Sequence, residues 1–395
     1  MREPTTTMRM GGFSIVELMV SVVIGLLALV FATRMIATAE LSKQSALGGS
    51  DAMQNGMLAL FSMHGDASQA GWGLNDPLLV GCDTVFADSN GYVMPTVVRS
   101  SGVVATTVRP ISPVLITSNG AAPDTITFYS GTSMSGTGTL RLTNNYVAGT
   151  VLEVDRPNYG FAIGDVFVVA PETRGASRCS LSMISNFVSG ATQQLTFAAG
   201  GVNRFNSGSL GLPFGSNLAR LFNLGPATTL SFHTWSVLSG YLRLSATDLA
   251  GSAPTPITVV DNIVSIKAQY GLDTRVGAAF TPTSGMQVSV WSNTMIDADG
   301  DLTAAGAGDF ERIAAVRIAV VARSRAPEKP NGSGLCSATT AQPVVFGSAE
   351  PAGVTAVPIT VSVAVAGDSV DWHCYRYRVF ETIVPLRNAG WRPTS

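Results

Sequence analysis

The sequence predicts an α+β chain, in which a long N-terminal hydrophobic helix is followed by a large antiparallel β-rich globular domain. Three observations predict it. From Phe13 to Thr33 the only ionisable side chain is Glu17. Beyond residue 85, short Val/Thr/Ile runs alternate with turn residues, in a chain with 41 Gly and 20 Pro. Near the C-terminus, Val316, Ile318 and Val320 share one face of a strand pattern, and Arg317 and Arg323 share the other. Period-2 alternation of that kind marks a strand of an antiparallel sheet with one buried face.

The elements follow in order. Residues 1–12 form a short polar leader carrying Arg2 and Arg9. Residues 13–33 match the ~20 apolar residues that cross a bilayer as a helix. The arginines before them predict a cytoplasmic leader, with everything after Arg34 across the membrane. A carboxylate inside such a run is costly and usually functional, which singles out Glu17. Residues 34–70 continue as an amphipathic helix. Met53, Met57, Leu60 and Phe61 follow the spacing of one apolar face, predicted to pack on the globular domain. Gly48-Gly49 weakens the helix, with a bend or local melting as the expected result, and Gly71 or Gly73 marks the stop.

The β-domain is expected over residues 71–395. Strand patterns occur at residues 125–129, 165–170, 263–271, 315–323 and 375–383. A hairpin is expected from 230–235 through Ser239-Gly240 to 241–244. The Gly/Ser/Thr-rich stretch at 130–139 reads as a flexible surface loop. The arginine face of the C-terminal strands reads as solvated, since such side chains cover a sheet while keeping their charge in water.

Composition excludes several classes. Charged residues make up 13% of the chain, hydrophobic residues 46%, and the net charge is −2. That is neither a disordered nor a nucleic-acid-binding profile. The three histidines, His64, His233 and His373, are scattered, and no nucleophile elbow, zinc, P-loop or dinucleotide motif is present, so no enzymatic activity is expected. The four cysteines, Cys82, Cys179, Cys336 and Cys374, all follow the apolar helix, where a periplasm permits disulfides. They allow three connectivities. Cys336–Cys374 bracket one strand-like segment and are the favoured pair, leaving Cys82–Cys179; the alternative is four free buried thiols. In Asp297-Ala298-Asp299-Gly300-Asp301 the alternating carboxylates of Asp297, Asp299 and Asp301 suit a hard cation such as Ca²⁺. The spacing of Gly300 departs from the EF-hand, and a polar turn is the preferred reading. Asp309 and Glu311 would join as ligands only if the loop folds back.

At Gly12, Phe13 and Glu17 the chain resembles the type IV pilin family, whose signal is a basic leader ending in Gly, then Phe or Met, then Glu four residues on, opening an apolar helix. The resemblance implies cleavage between Gly12 and Phe13 by prepilin peptidase and methylation of the new Phe13 amino group. It also implies that Glu17 pairs with the amino terminus of a neighbouring subunit during assembly. The alternatives are a secretory signal cleaved after Ala37-Thr38-Ala39, or a plain membrane anchor. Three further segments resemble PilW-type minor pilins: Ala70-Gly71-Trp72 before Gly81-Cys82; Tyr270 to Asp273 followed by Arg312 to Ser324; and Tyr377 to Asn388. The implied partners are other minor pilins, the major pilin and the peptidase. The implied locations are the bacterial inner membrane before assembly and the pilus afterwards. Rival readings are a J-type minor pseudopilin of type II secretion and a tip adhesin carried on a pilin.

Overall fold

A computed structural model describes residues 14–133, 139–282 and 285–390. The chain divides into two compact units, Met1–Ser50 and Asp51–Ser395. One helix, Ile15–Gln69, begins in the first unit and ends in the second. The helix continues through Gly48-Gly49, so the chain does not melt locally there.

In the first unit, Ile15–Glu40 is long and apolar enough to cross a membrane. At 1.5 Å per residue it spans about 39 Å. Its few hydroxyls bond within the helix: Ser21 Oγ donates to the Leu18 carbonyl, Thr33 Oγ1 to Leu29 and Thr38 Oγ1 to Arg34. Self-satisfaction of this kind removes the penalty of a polar group in hydrocarbon.

In the second unit the helix ends at Gln69 because Gly71 adopts φ +82°, a left-handed stop suited to glycine. Two antiparallel sheets follow from the expected strands. The central sheet orders Ile257–Asp261, Tyr241–Ala246, Ser231–Leu238, Thr125–Ser130 and Val114–Thr117. Its hairpin turns at Ser239 and Gly240, both at positive φ, as a two-residue hairpin turn requires. The C-terminal sheet orders Val290–Ser292, Ile263–Leu272, Ile313–Arg323 and Tyr377–Pro385.

The central sheet pairs Ser130 directly with Ser231, although about 100 residues separate them. The intervening chain builds a lobe around a five-stranded sheet that includes Cys179–Met183, Asp165–Pro171 and Ala219–Pro226. Alternate residues of Asp165–Pro171 serve two cores. Val166, Val168 and Ala170 join the main core, while Phe167 and Val169 join a second one within the lobe.

Two expectations are corrected here. The strand Ile313–Arg323 is buried on both faces, not one, from Ile313 through Ala322. Val316, Ile318 and Val320 face the main core, while Ala319 and Val321 pack beneath Val345, Phe346, Val361 and Val363. That returning segment covers Arg317, which is 1% exposed rather than solvated. Its guanidinium donates to Ser348 Oγ at 2.7 Å and Glu381 Oε2 at 3.1 Å, and lies 4.9 Å from the Phe346 ring centre. Arg376 and Arg378 do face solvent. The predicted surface loop begins with buried residues: Gly131 N–H donates to the Trp72 carbonyl and Thr132 N–H to Leu224, and Ser133 is buried. Residues 134–138 of that loop lie outside the described residues.

Candidate functional site

Glu17 lies in the first turn of the long helix. Acidic groups near a helix N-terminus meet the positive end of the helix dipole. The large apolar side chains around it, Ile15, Val16, Leu18 and Met19, are all exposed within the first unit. Gly12 and Phe13 lie outside the described residues.

The helix docks within the second unit mostly through small residues, with Met63 the one large, fully buried side chain. Ala52, Gly56, Ala59, Met63, Ala67 and Ala70 are buried. Their spacing of three or four residues defines one helix face. This corrects the expected face. Met53, Met57 and Phe61 are 49%, 54% and 76% exposed, and Leu60 alone of that set is partly buried against the core. Glycine at 56 permits the approach, because a Cβ there would overlap the Phe380 ring. Asn55 Nδ2 donates to Asp261 Oδ1 at 2.8 Å. At the helix end, Asn388 Nδ2 reaches the carbonyls of Ser68, Gln69 and Ala70 at 3.2–3.4 Å, satisfying acceptors the helix leaves free.

A polar clamp completes the dock. His233, on Ser231–Leu238, places Nδ1 2.9 Å from Asp66 Oδ2 and Nε2 2.8 Å from Asp248 Oδ1. Trp235 Nε1 donates to the same Asp66 oxygen at 2.6 Å. Burial alone would lower the His233 pKa. The hydrogen bonds to Asp248 and Asp66 outweigh it and hold the imidazole up to about 9. Ser231 Oγ lies 3.1 Å from Nε2, so Ser231, His233 and Asp66 have the outline of a catalytic triad. The second carboxylate defeats it: an imidazolium held between two aspartates has no lone pair to take a serine proton.

The cysteines form two disulfides, Cys82–Cys179 and Cys336–Cys374. The first ties the chain after the helix to the lobe. The acidic loop does fold back. Asp297, Asp299 and Asp309 bring one carboxylate oxygen each within 4.8 Å of one another, the spacing at which a hard cation can bridge them. Asp301 is outside that group and accepts from Thr303 N–H. Burial pushes the Asp309 pKa up to about 6 and raises that of Asp299. The oxygens of Asp309 already accept from the N–H groups of Ala298, Asp299 and Gly306, so the loop closes on its own backbone.

Sequence reading missed one buried ion pair. Lys267 and Asp124 are both fully buried and in contact. Lys267 Nζ also donates to the Gly120 and Ala122 carbonyls at 2.8 and 2.9 Å, using all three ammonium donors. Asp124 accepts from Asn119 and Ala268 N–H, and burial raises its pKa against the pull of Lys267. The available signal was a lysine, one of three in the chain, inside the otherwise uncharged strand Ile263–Leu272.

No curated protein matches the chain, and no solved structure does. Residues 237–388, less than half of the chain, match the family model described as Type IV Pilus-assembly protein W. The match spans the C-terminal sheet and its covering segment, and it supports a type IV pilus-related family for this chain.

Proposed function

We propose that the chain is a minor pilin of the PilW type, a structural subunit that acts by assembly rather than catalysis. The observation that carries the reading is the match at residues 237–388, on the same chain as an N-terminal helix apolar enough to cross a membrane. Prepilin peptidase cuts between Gly12 and Phe13, and the new Phe13 amino group is methylated. The helix anchors the subunit in the inner membrane with the β-domain in the periplasm. It then packs into the fibre with other minor pilins and the major pilin. Glu17 pairs with a neighbour's amino terminus, which offsets the cost of a carboxylate in an apolar core.

Mass spectrometry of the native protein tests the processing step. A mature chain starting at N-methylated Phe13 is expected; one starting at Glu40 would show ordinary signal cleavage and overturn it. Deleting the gene tests the system. Lost twitching and surface pili are expected, whereas lost exoprotein secretion with intact pili would assign the chain to type II secretion as a minor pseudopilin.

A further inference from the structure

A cleft of about 550 Å³ opens where the lobe meets the end of the central sheet. That volume falls in the ~300–1,000 Å³ range of small-molecule sites. Its floor is Asp165, which is 6% exposed. One carboxylate oxygen, Oδ2, accepts from Ala162 N–H at 2.8 Å and Asn223 Nδ2 at 2.9 Å. Among the described residues the other oxygen, Oδ1, has no hydrogen-bond partner, and Asp165 lines the cleft. Oδ1 is not among the buried unpaired atoms, so it meets water in the cleft, as an acceptor that a ligand hydroxyl can take over.

Asn223 is rigidly spent. Its amide nitrogen bonds Gly160 O at 2.7 Å as well as Asp165, and its oxygen takes Gly225 N–H at 2.7 Å. It fixes Asp165 and offers little else. The wall supplies hydroxyls, with Thr132 Oγ1 and Thr229 Oγ1 2.7 Å apart. Hydroxyls both donate and accept, so they complement a ligand that does the same. The described lining holds no Lys, Arg or His. A phosphate or an acidic sugar would therefore meet Asp165 with no counter-charge.

We propose that this cleft binds a neutral saccharide, with a sugar hydroxyl donating to the free Oδ1 of Asp165 and the threonine hydroxyls fixing its orientation. The inference stands on the cleft and does not depend on fibre assembly.

The test uses the full chain in a detergent without a sugar headgroup. Maltose, lactose, cellobiose and mannobiose are titrated by calorimetry and by saturation-transfer NMR, with n-butylammonium in parallel. At least one disaccharide is expected to bind saturably. Its affinity should fall at least about tenfold, the loss of one charge-assisted hydrogen bond, in Asp165→Asn. That variant can keep an oxygen toward Ala162 and Asn223 while turning an N–H₂ into the cleft. Thr229→Trp, at an exposed position, fills the mouth and should abolish binding. Unchanged melting temperature and intact disulfides in both variants separate loss of the site from loss of the fold. No saturable binding of any of the four sugars overturns the proposal. So does sugar binding that Asp165→Asn leaves intact, or saturable binding of n-butylammonium alone.

Discussion

The Asp66–His233–Asp248 clamp joins the helix to the central sheet, and its strength is set by one proton. The structure raises the His233 pKa from its ordinary 6.5 to about 9. At ~1.36 kcal/mol per unit, a rise of about 2.5 units links protonation to about 3 kcal/mol of stability. The three side chains are 15%, 20% and 28% exposed, so screening trims that figure without removing it. The sign follows from the direction. A group whose pKa is raised by folding contributes fully below its unfolded value, here 6.5, and loses that contribution as pH rises through about 9. Denaturant unfolding of the full chain should therefore lose about 3 kcal/mol between pH 6.5 and 9.5 relative to His233→Gln, which has no proton to lose. The difference between the two proteins cancels other groups titrating in that window. NMR of the His233 ring should give a midpoint near 9, falling to below the ordinary 6.5 in Asp66→Asn/Asp248→Asn, where burial acts alone. A wild-type midpoint at or below 7, or parallel pH profiles for wild type and His233→Gln, would refute the clamp.

Three other perturbations test separate parts of the chain. Gly56→Leu should lever the helix off Phe380 and cost about 1–3 kcal/mol as overpacking, read as a lower denaturation midpoint; an unchanged midpoint would mean the ring moves aside freely. Lys267→Met should cost about 3–5 kcal/mol by stranding Asp124, and Lys267→Met/Asp124→Leu should recover part of that loss; a neutral single variant would show the pair is not buried in solution. Glu17→Ala should be cleaved after Gly12 and fold its β-domain, yet enter fibres at a small fraction of the wild-type level by immunoblot of sheared pili. Wild-type incorporation would remove any assembly role from Glu17.

The strands were legible because each expected run carries β-branched residues between turn signals, and pairing partners do not alter that local pattern. The hairpin at Ser239-Gly240 is written entirely in its own residues. The helix face was misread because periodicity weights large side chains. Met53, Met57 and Phe61 outvote Ala52, Gly56, Ala59, Ala67 and Ala70, although only the small set lets the helix approach the sheet closely. Arg317 was misread because local alternation does not register that residues 344–363 return as a second layer. Neither the adjacency of Ser130 and Ser231 nor the Asp66–His233 contact has a local signature, since each joins residues more than about 100 positions apart. At the candidate site, the four cysteines were legible from residue type and place. The free oxygen of Asp165 was not, because it is defined by what fails to approach it.

The inverted helix face has a practical consequence for handling the protein. In most surface helices the greasy side turns inward. Here the inward side is mostly alanine and glycine, with Met63 its one large, fully buried side chain, and Met53, Met57 and Phe61 look outward. Cutting the chain at Ser50 to discard the apolar anchor would leave that stripe in water, a contiguous adhesive strip of the kind that drives self-association. Cutting past Phe61 removes the strip but also takes Gly56, Ala59 and half of the docking surface. Charged replacements at Met53, Met57 and Phe61 keep the dock and supply solubility, so the colloidal behaviour and the folding of this domain can be tuned on opposite sides of one helix.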